Sequence, residues 1–117
     1  MKTYALMLNH APDRYTGLSE EDYMDIIKDY VAWVEKLTAE GVYVGGEKLA
    51  EGAGRVLTRT EGGIEVHDTP LAELPEVLGG FMMIKAADYD AAVEIAKTCP
   101  HMVHNKCLEV REIQQVD

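Results

Sequence analysis

Two kinds of apolar pattern divide the chain into extended and helical segments. Within residues 2–9 and 80–86, apolar side chains follow one another without alternation, as in strands that are buried on both faces. From residue 19 to 40 they recur every three or four positions, which predicts a long amphipathic helix. A shorter helix with an alanine-rich stripe is predicted at about 89–98. The apolar face of the long helix comprises Tyr23, Ile26, Ile27, Tyr30, Trp33, Val34 and Leu37.

The ends of both helices carry residues that favour capping. Ser19 is followed three positions later by Asp22, a form of the capping box in which Asp replaces the usual Glu. Asp88 is a suitable N-cap for the second helix, because its carboxylate can accept from the first unpaired amides. Gly41 predicts the end of the first helix, and Pro100 lies just past the end of the second.

The remaining segments predict a sheet with an inserted hairpin. Strands are predicted at 42–49, 54–60, 63–68, 80–86 and 105–113, and a Gly-rich turn joins the second and third of these. The pair Gly45–Gly46 predicts a bulge or a close approach between strands. Without the hairpin, the order of elements is that of the split β-α-β pattern. We therefore predict one α+β domain over residues 1–117, ferredoxin-like, with two helices on one face of an antiparallel sheet.

The central strands of this sheet carry more apolar surface than two helices can cover. One face of the first strand carries Tyr4, Leu6 and Leu8, and the other carries Ala5 and Met7. The strand predicted at 80–86 is likewise apolar on both faces. Monomers rarely expose such a patch to water. We therefore expect a homodimer in which two sheets stack about a two-fold axis.

The charge of the chain argues against several kinds of partner. With 11 basic and 21 acidic residues, the 117-residue chain has a formal net charge of −10, which disfavours nucleic acid and anionic membrane surfaces. No apolar run reaches the ~20 residues of a membrane span, and the first residues do not resemble a signal peptide. Two cysteines are too few for a disulfide framework, so we expect reduced thiols and a cytoplasmic location.

The segment 67–81 joins two predicted strands and concentrates charged side chains beside two prolines. Because proline interrupts helices and central strands, Asp68 and Glu73 are predicted to be held in an ordered connector at the end of the sheet. Asp68 is either an acid/base group or a turn residue that accepts backbone hydrogen bonds. His67 points to the opposite side of its strand from Asp68, so we expect it to be an ordinary surface residue.

Other candidate groups lie in the long helix and near the last strand. Tyr30 is expected to face the sheet. There its hydroxyl either lies at the edge of the core or, beside a pocket, orients a substrate or donates a proton. His101 is a candidate general base, because imidazole titrates near neutral pH. Arg111 shares a strand face with Glu109, so it either pairs with a carboxylate or holds a substrate carboxylate in bidentate fashion.

Residues 99–107 contain four side chains that could bind a metal ion. Cys99, His101, His104 and Cys107 are ligand types that zinc prefers. Their spacing matches none of the standard zinc patterns, and Cys107 falls within a predicted strand. We therefore predict a helix-to-strand loop with two unreactive thiols and no bound metal.

Several motifs, taken in their order and spacing, resemble those of the YCII-related proteins, in particular the DGPF-domain branch. They occupy residues 40–49, 66–73, 78–81 and 109–111, and the naming motif stands here as Asp68-Thr69-Pro70-Leu71. The resemblance implies a dimeric α+β barrel. It also implies small enzymes without a bound organic cofactor, some of whose relatives act on lactones or haloaromatic breakdown products. Tyr30 occupies the helix position where the YCII branch places the histidine of a His/Asp centre.

The sequence supports two hypotheses of function. The first is a cofactor-free lyase, isomerase or hydrolase for a small polar organic substrate, with Asp68, His101 and Tyr30 as catalytic groups. Glu73 and Arg111 would then contact the substrate. The alternative is a non-catalytic ligand-binding or interaction module of the same fold. A cavity that brings the catalytic candidates together favours the enzyme.

Overall fold

The computed structural model describes residues 1–50, 54–67 and 76–116 of the chain. Within these ranges the strands are β1 (Lys2–His10), β2 (Tyr43–Lys48), β3 (Val56–Thr60), β4 (Gly63–His67), β5 (Val77–Ala86) and β6 (Cys107–Glu112). The helices are α1 (Glu20–Ala39), α2 (Tyr89–Lys97) and the short α3 (His101–His104). None of these described helices is long and apolar enough to cross a membrane.

Four strands form one antiparallel sheet in the order β2-β5-β1-β6, and β3 pairs with β4 as a separate hairpin. Both long helices pack on one face of the sheet, and their side chains share a core with β1 and β5. The core comprises Tyr4, Leu6, Leu8, Trp33, Leu37, Met82, Ile84, Ala86, Ala92, Ala96 and Cys99. The predicted ferredoxin-like α+β fold with its inserted hairpin is therefore confirmed.

The opposite face of the sheet carries apolar side chains that no described helix covers. Cross-strand register pairs Ala5 with Met83 and Met7 with Phe81 on this face. All four are only half-buried. The prediction that both faces of the central strands are apolar is confirmed, and we call this surface the helix-free face.

The predicted helix ends are confirmed by their hydrogen bonds. Ser19 Oγ accepts from the Asp22 amide at 3.0 Å, and Asp88 Oδ1 accepts from the Ala91 amide at 2.9 Å. Gly41 follows α1 with a φ of 77°, a conformation that glycine adopts without a Cβ clash. This reversal ends the helix where the sequence predicted.

Two segments differ from the prediction. β5 begins at Val77 rather than at residue 80, because Val77 and Leu78 continue the pairing with β1 past a register irregularity. Gly79 therefore belongs to the strand, as the predicted strand residue Gly80 does. The segment after α2 is also not an open loop, because residues 101–104 form one turn of helix behind Pro100. Four residues are too few to show a helical period in sequence.

Candidate functional site

A cavity of about 360 Å³ lies between α1 and the helix-covered face of the sheet. Its wall is mostly apolar and aromatic, as in many small-molecule sites. The apolar side chains include Leu8, Ile26, Ile27, Val34 and Met82, and the tyrosines are Tyr15, Tyr23, Tyr30 and Tyr43. Two histidines, His10 and His101, are the buried polar members of the wall.

The structure brings together two of the predicted catalytic residues, Tyr30 and His101. Tyr30 lies midway along α1 and His101 begins α3, yet their side chains are hydrogen-bonded, with Tyr30 Oη 2.9 Å from His101 Nδ1. His101 is only 2% exposed. Both Tyr30 and His101 line the cavity.

The hydrogen bonds of His101 determine which of its nitrogens carries the proton. Nε2 lies 2.6 Å from the backbone carbonyl oxygen of Asn9, which can only accept, so Nε2 is the donor. In the neutral ring Nδ1 then carries the lone pair and accepts from the Tyr30 hydroxyl. Burial lowers the pKa of His101, against the smaller raising effect of the bond to Asn9. His101 is thus a neutral proton acceptor near pH 7.

The Tyr30 hydroxyl is the donor in this pair. Burial raises the pKa of Tyr30 far above its usual value, and the nearby Tyr15 raises it further. Loss of the proton to solvent would leave a tyrosinate in a largely apolar cavity, which is unfavourable. Tyr30 can therefore pass a proton on only as it receives another.

His10 is a functional candidate that the sequence analysis missed. It is the last residue of β1, it is 9% exposed, and it lines the cavity. Its Nδ1 donates to the Ala11 carbonyl at 2.7 Å, which leaves Nε2 against Gly79. A Cβ built on Gly79 would lie 2.7 Å from this Nε2, so the glycine makes room for the ring.

A signal for His10 was present in the sequence. Tyr4, Leu6 and Leu8 share one face of β1, and a period of two places His10 next on that same face. The sequence predicts the first strand over residues 2–9 only, which leaves residue 10 one position beyond it. The observed strand continues to His10.

Asn105 connects the Tyr30–His101 pair to a further tyrosine, Tyr15. Its Nδ2 donates to Tyr15 Oη at 3.0 Å and lies 3.4 Å from His101 Nδ1. The Tyr15 ring also meets the His10 ring edge-on, with 5.0 Å between centroids. The wall of the cavity therefore contains the two imidazoles and these two tyrosines, and the Asn105 amide links Tyr15 to His101.

Charged side chains line another part of the cavity. Glu35, Glu47 and Lys48 contribute to its wall, and all three are exposed. The Lys48 ammonium lies 5.7 Å from the centre of the Tyr23 ring, within cation–π range. The charged part of the wall is thus exposed, whereas the two histidines are buried.

The other predicted site residues lie elsewhere. Asp68 and Glu73 fall outside the described residues. Arg111 is exposed and pairs in register with Ala5, which places it on the helix-free face. Its strand neighbour Glu109 accepts from Asn9 Nδ2 at 3.2 Å. Arg111 and the Tyr30–His101 pair are therefore on opposite faces of the sheet.

The side chains considered as zinc ligands have separate surroundings and different hydrogen-bond partners. Cys99 is buried, and burial raises the pKa of its thiol to about 11. His104 Nε2 lies 2.8 Å from Asp29 Oδ2, while His101 is bonded to Tyr30. Among the described residues, no group of three or more His, Cys, Asp or Glu side chains is arranged to hold a metal ion.

Comparisons with known proteins agree with this fold. A model of the YCII-related domain matches residues 2–117. Among solved structures, the chain is similar to 5-chloro-2-hydroxyhydroquinone dehydrochlorinase from Burkholderia phenoliruptrix AC1100, in complex with 2,5-dihydroxybenzoquinone. The TM-score is 0.57 at 15% identity, over 99% of this chain and 96% of that one. Such a low identity shows a shared fold alone. Comparison with curated protein sequences gives no match.

Proposed function

The chain belongs to the YCII-related family, and from this premise we propose that it is an enzyme that moves protons on a small ring-shaped substrate. Lyase and isomerase reactions both fit, because each begins with removal of a proton from a hydroxyl group or from a carbon beside a carbonyl. The family resemblance supports a reaction without an organic cofactor. Hydrolysis, the third class predicted, has less support from a mostly apolar cavity.

The hydrogen bond between Tyr30 and His101 inside the cavity carries this proposal. A substrate hydroxyl gives its proton to Tyr30 Oη while Tyr30 gives its own proton to His101 Nδ1. Tyr30 stays neutral throughout, as the raised pKa of its hydroxyl requires. His101 becomes an imidazolium whose Nε2–H still donates to Asn9. His10 is a second imidazole through which a proton can return to a different substrate atom.

The lining of the cavity suits a compact, ring-shaped substrate that carries oxygen substituents. A volume of about 360 Å³ is at the small end of ligand sites. Tyrosine rings and aliphatic side chains suit the faces of such a ring, while the two imidazoles suit its hydroxyl or carbonyl groups. The structural neighbour is a dehydrochlorinase bound to a dihydroxybenzoquinone. Elimination of a leaving group from a hydroxylated ring is therefore the first reaction to test.

Three of the predicted site residues keep separate roles in the proposal. Asp68 remains proposed as an acid/base group and Glu73 as a substrate contact. For Arg111, its position on the helix-free face favours the structural alternative, a pairing with a carboxylate across a dimer interface. Asp68→Asn tests the first of these roles and is expected to lower turnover while leaving the fold intact.

A set of single-atom and near-isosteric changes tests the proposed centre. Binding of 2,5-dihydroxybenzoquinone is followed by the shift in unfolding temperature. Turnover of chlorinated hydroquinones is followed by chloride release. Tyr30→Phe and His101→Gln are expected to lower kcat/KM by about 10²- to 10⁴-fold, the range of general acid–base catalysis.

Matched controls are available for both changes. Tyr4→Phe also removes one buried hydroxyl, but among the described residues Tyr4 Oη has no hydrogen-bond partner. His67→Gln changes an exposed histidine. Both controls should keep wild-type turnover. Binding that persists in all variants, with no turnover by the wild type, would instead support the ligand-binding module.

A further inference from the structure

His101 Nδ1 has one lone pair but two donors within reach. The Tyr30 hydroxyl lies at 2.9 Å and the Asn105 amide nitrogen at 3.4 Å. Nδ1 cannot fully accept from both. The shorter contact belongs to Tyr30, so the Tyr30 hydroxyl is the main donor to Nδ1 and the Asn105 amide is the weaker one.

The orientation of the Asn105 amide follows from its neighbours. Nδ1 carries a lone pair, because Nε2 gives its proton to the Asn9 carbonyl. An amide turned the other way would place its oxygen against that lone pair, and two acceptors would face each other. The Nδ2 group therefore faces His101, and it also donates to Tyr15 Oη at 3.0 Å.

The backbone holds Asn105 in this place. Its amide nitrogen donates to the His101 carbonyl at 2.8 Å and closes α3. The residue then turns to an extended conformation with a φ of −136°, which leads into β6. Its half-buried side chain is thus held beside the imidazole by the helix end itself.

We infer that Asn105 is a positioning residue that donates to His101 Nδ1 whenever the Tyr30 hydroxyl turns toward a ligand. The inference rests on the proposed function, in which Tyr30 must exchange one hydrogen-bond partner for another. Without a second donor, turning the Tyr30 hydroxyl away leaves the buried His101 Nδ1 without a hydrogen bond. This lowers the equilibrium constant for the turn by about tenfold or more. With Asn105 in place, Nδ1 keeps a donor and the ring keeps its orientation.

A double-mutant cycle in the ligand-free protein tests the inference. Tyr30→Phe removes the first donor and mimics the turned hydroxyl, while Asn105→Ala removes the second. Each single variant leaves Nδ1 one donor, whereas the double variant leaves it none. The folded-to-unfolded ratio of the double variant should fall about fivefold or more below the product of the two single effects.

Imidazole nitrogen NMR gives a readout that loss of packing would not reproduce. In Tyr30→Phe, the Nδ1 resonance of His101 should remain at its hydrogen-bonded position, because Asn105 has taken over. In Tyr30→Phe/Asn105→Ala it should move to the position of an unpaired nitrogen. The inference would be overturned if the stability effects of the two substitutions were additive. It would also be overturned if the His101 Nδ1 resonance already lay at the position of an unpaired nitrogen in Tyr30→Phe. Tyr4→Phe combined with Asn105→Ala is the additive control, since Tyr4 lies in the core and not in the cavity wall.

Ligand binding separates this inference from the proposed function. Asn105→Ala should weaken binding of 2,5-dihydroxybenzoquinone by about tenfold, because the Tyr30 hydroxyl is then held by His101. An unchanged Kd would overturn the role of Asn105 while leaving the proposed function standing. If the wild type binds no hydroxylated ring, the proposed function fails, and the cycle in the free protein still decides whether Asn105 is the second donor.

Discussion

Single polar atoms beside His101 decide what this residue can do. The Asn9 carbonyl determines which ring nitrogen carries the proton, because a carbonyl only accepts. Burial then lowers the pKa of the imidazole. The same residue type on the hairpin, His67, is exposed and bonded to Thr58. The acceptor role of His101 therefore comes from its surroundings and not from its residue type.

The lowered pKa of His101 predicts a pH dependence of stability. In the unfolded chain this histidine titrates near 6.5, and in the folded protein it titrates lower. Above pH 6.5 both states are neutral and stability is unaffected by this group. As the pH falls below 6.5, the unfolded state binds the proton first, so the free energy of unfolding decreases until the folded pKa is passed.

Urea unfolding between about pH 7.5 and pH 5 measures this effect. The free energy of unfolding of the wild type should fall more steeply with decreasing pH than that of His101→Gln. His67→Gln is the control for the substitution itself, since this histidine is exposed on the hairpin. Equal steepness in the wild type and His101→Gln would contradict a buried neutral imidazole.

Among the secondary-structure elements, the pairing of β2 with β5 depends on a missing side chain. The register between these strands shifts between Tyr43 and Gly45, which confirms the irregularity predicted for the Gly45–Gly46 pair. A Cβ on Gly46 would lie 2.5 Å from the Phe81 carbonyl oxygen. Since that oxygen belongs to the backbone, it can move only if the strands separate.

Alanine substitution at these two neighbouring glycines should have opposite consequences. Gly46→Ala is expected to destabilise the protein by about 1–3 kcal/mol, the usual range for overpacking. Gly45→Ala should be neutral or slightly stabilising, because its Cβ would lie 3.7 Å from the flexible end of Met83 and alanine costs less entropy than glycine. Chemical unfolding of both variants measures the difference. Equal effects would mean that β2 and β5 are farther apart than the register indicates.

At the scale of the whole molecule, the helix-free face is an apolar surface that no described helix covers. Ala5, Met7, Phe81 and Met83 lie together on it, and the described helices all pack elsewhere. Apolar patches of this kind mark interaction sites. We propose that two copies stack these faces in an isologous dimer, as the sequence predicted. The exposed Arg111 lies on the same face.

A charge placed in this face should separate the subunits. Met83→Asp is expected to convert a particle of twice 13.0 kDa into one of 13.0 kDa, because a buried unpaired carboxylate is strongly unfavourable. Met24→Asp is the matched control, since Met24 is 46% exposed on α1, and it should leave the assembly unchanged. Sedimentation at low micromolar concentration distinguishes the two masses. A wild-type protein that sediments as a folded monomer would refute the dimer.

The sequence by itself determined most of the fold. Continuous apolar runs and apolar periods of three to four are local properties, so they predicted the central strands, both long helices and the apolar helix-free face. The capping residues Ser19 and Asp88 act within one helical turn, which is why their hydrogen bonds were predictable. Strand boundaries were predicted less accurately where pairing with another strand decides them. The start of β5 at Val77 is an example, because its partner His10 lies in a strand that is distant in sequence.

Only the tertiary structure decided the candidate site. Tyr30 and His101 are 71 positions apart, and no local pattern shows that α1 and α3 meet over one cavity. The proton acceptor role of His101 depends on a carbonyl from β1, and the place of His10 depends on the absence of a side chain at residue 79. Residue types and local periods therefore indicate which groups are available, while sheet order and close approach decide which of them touch.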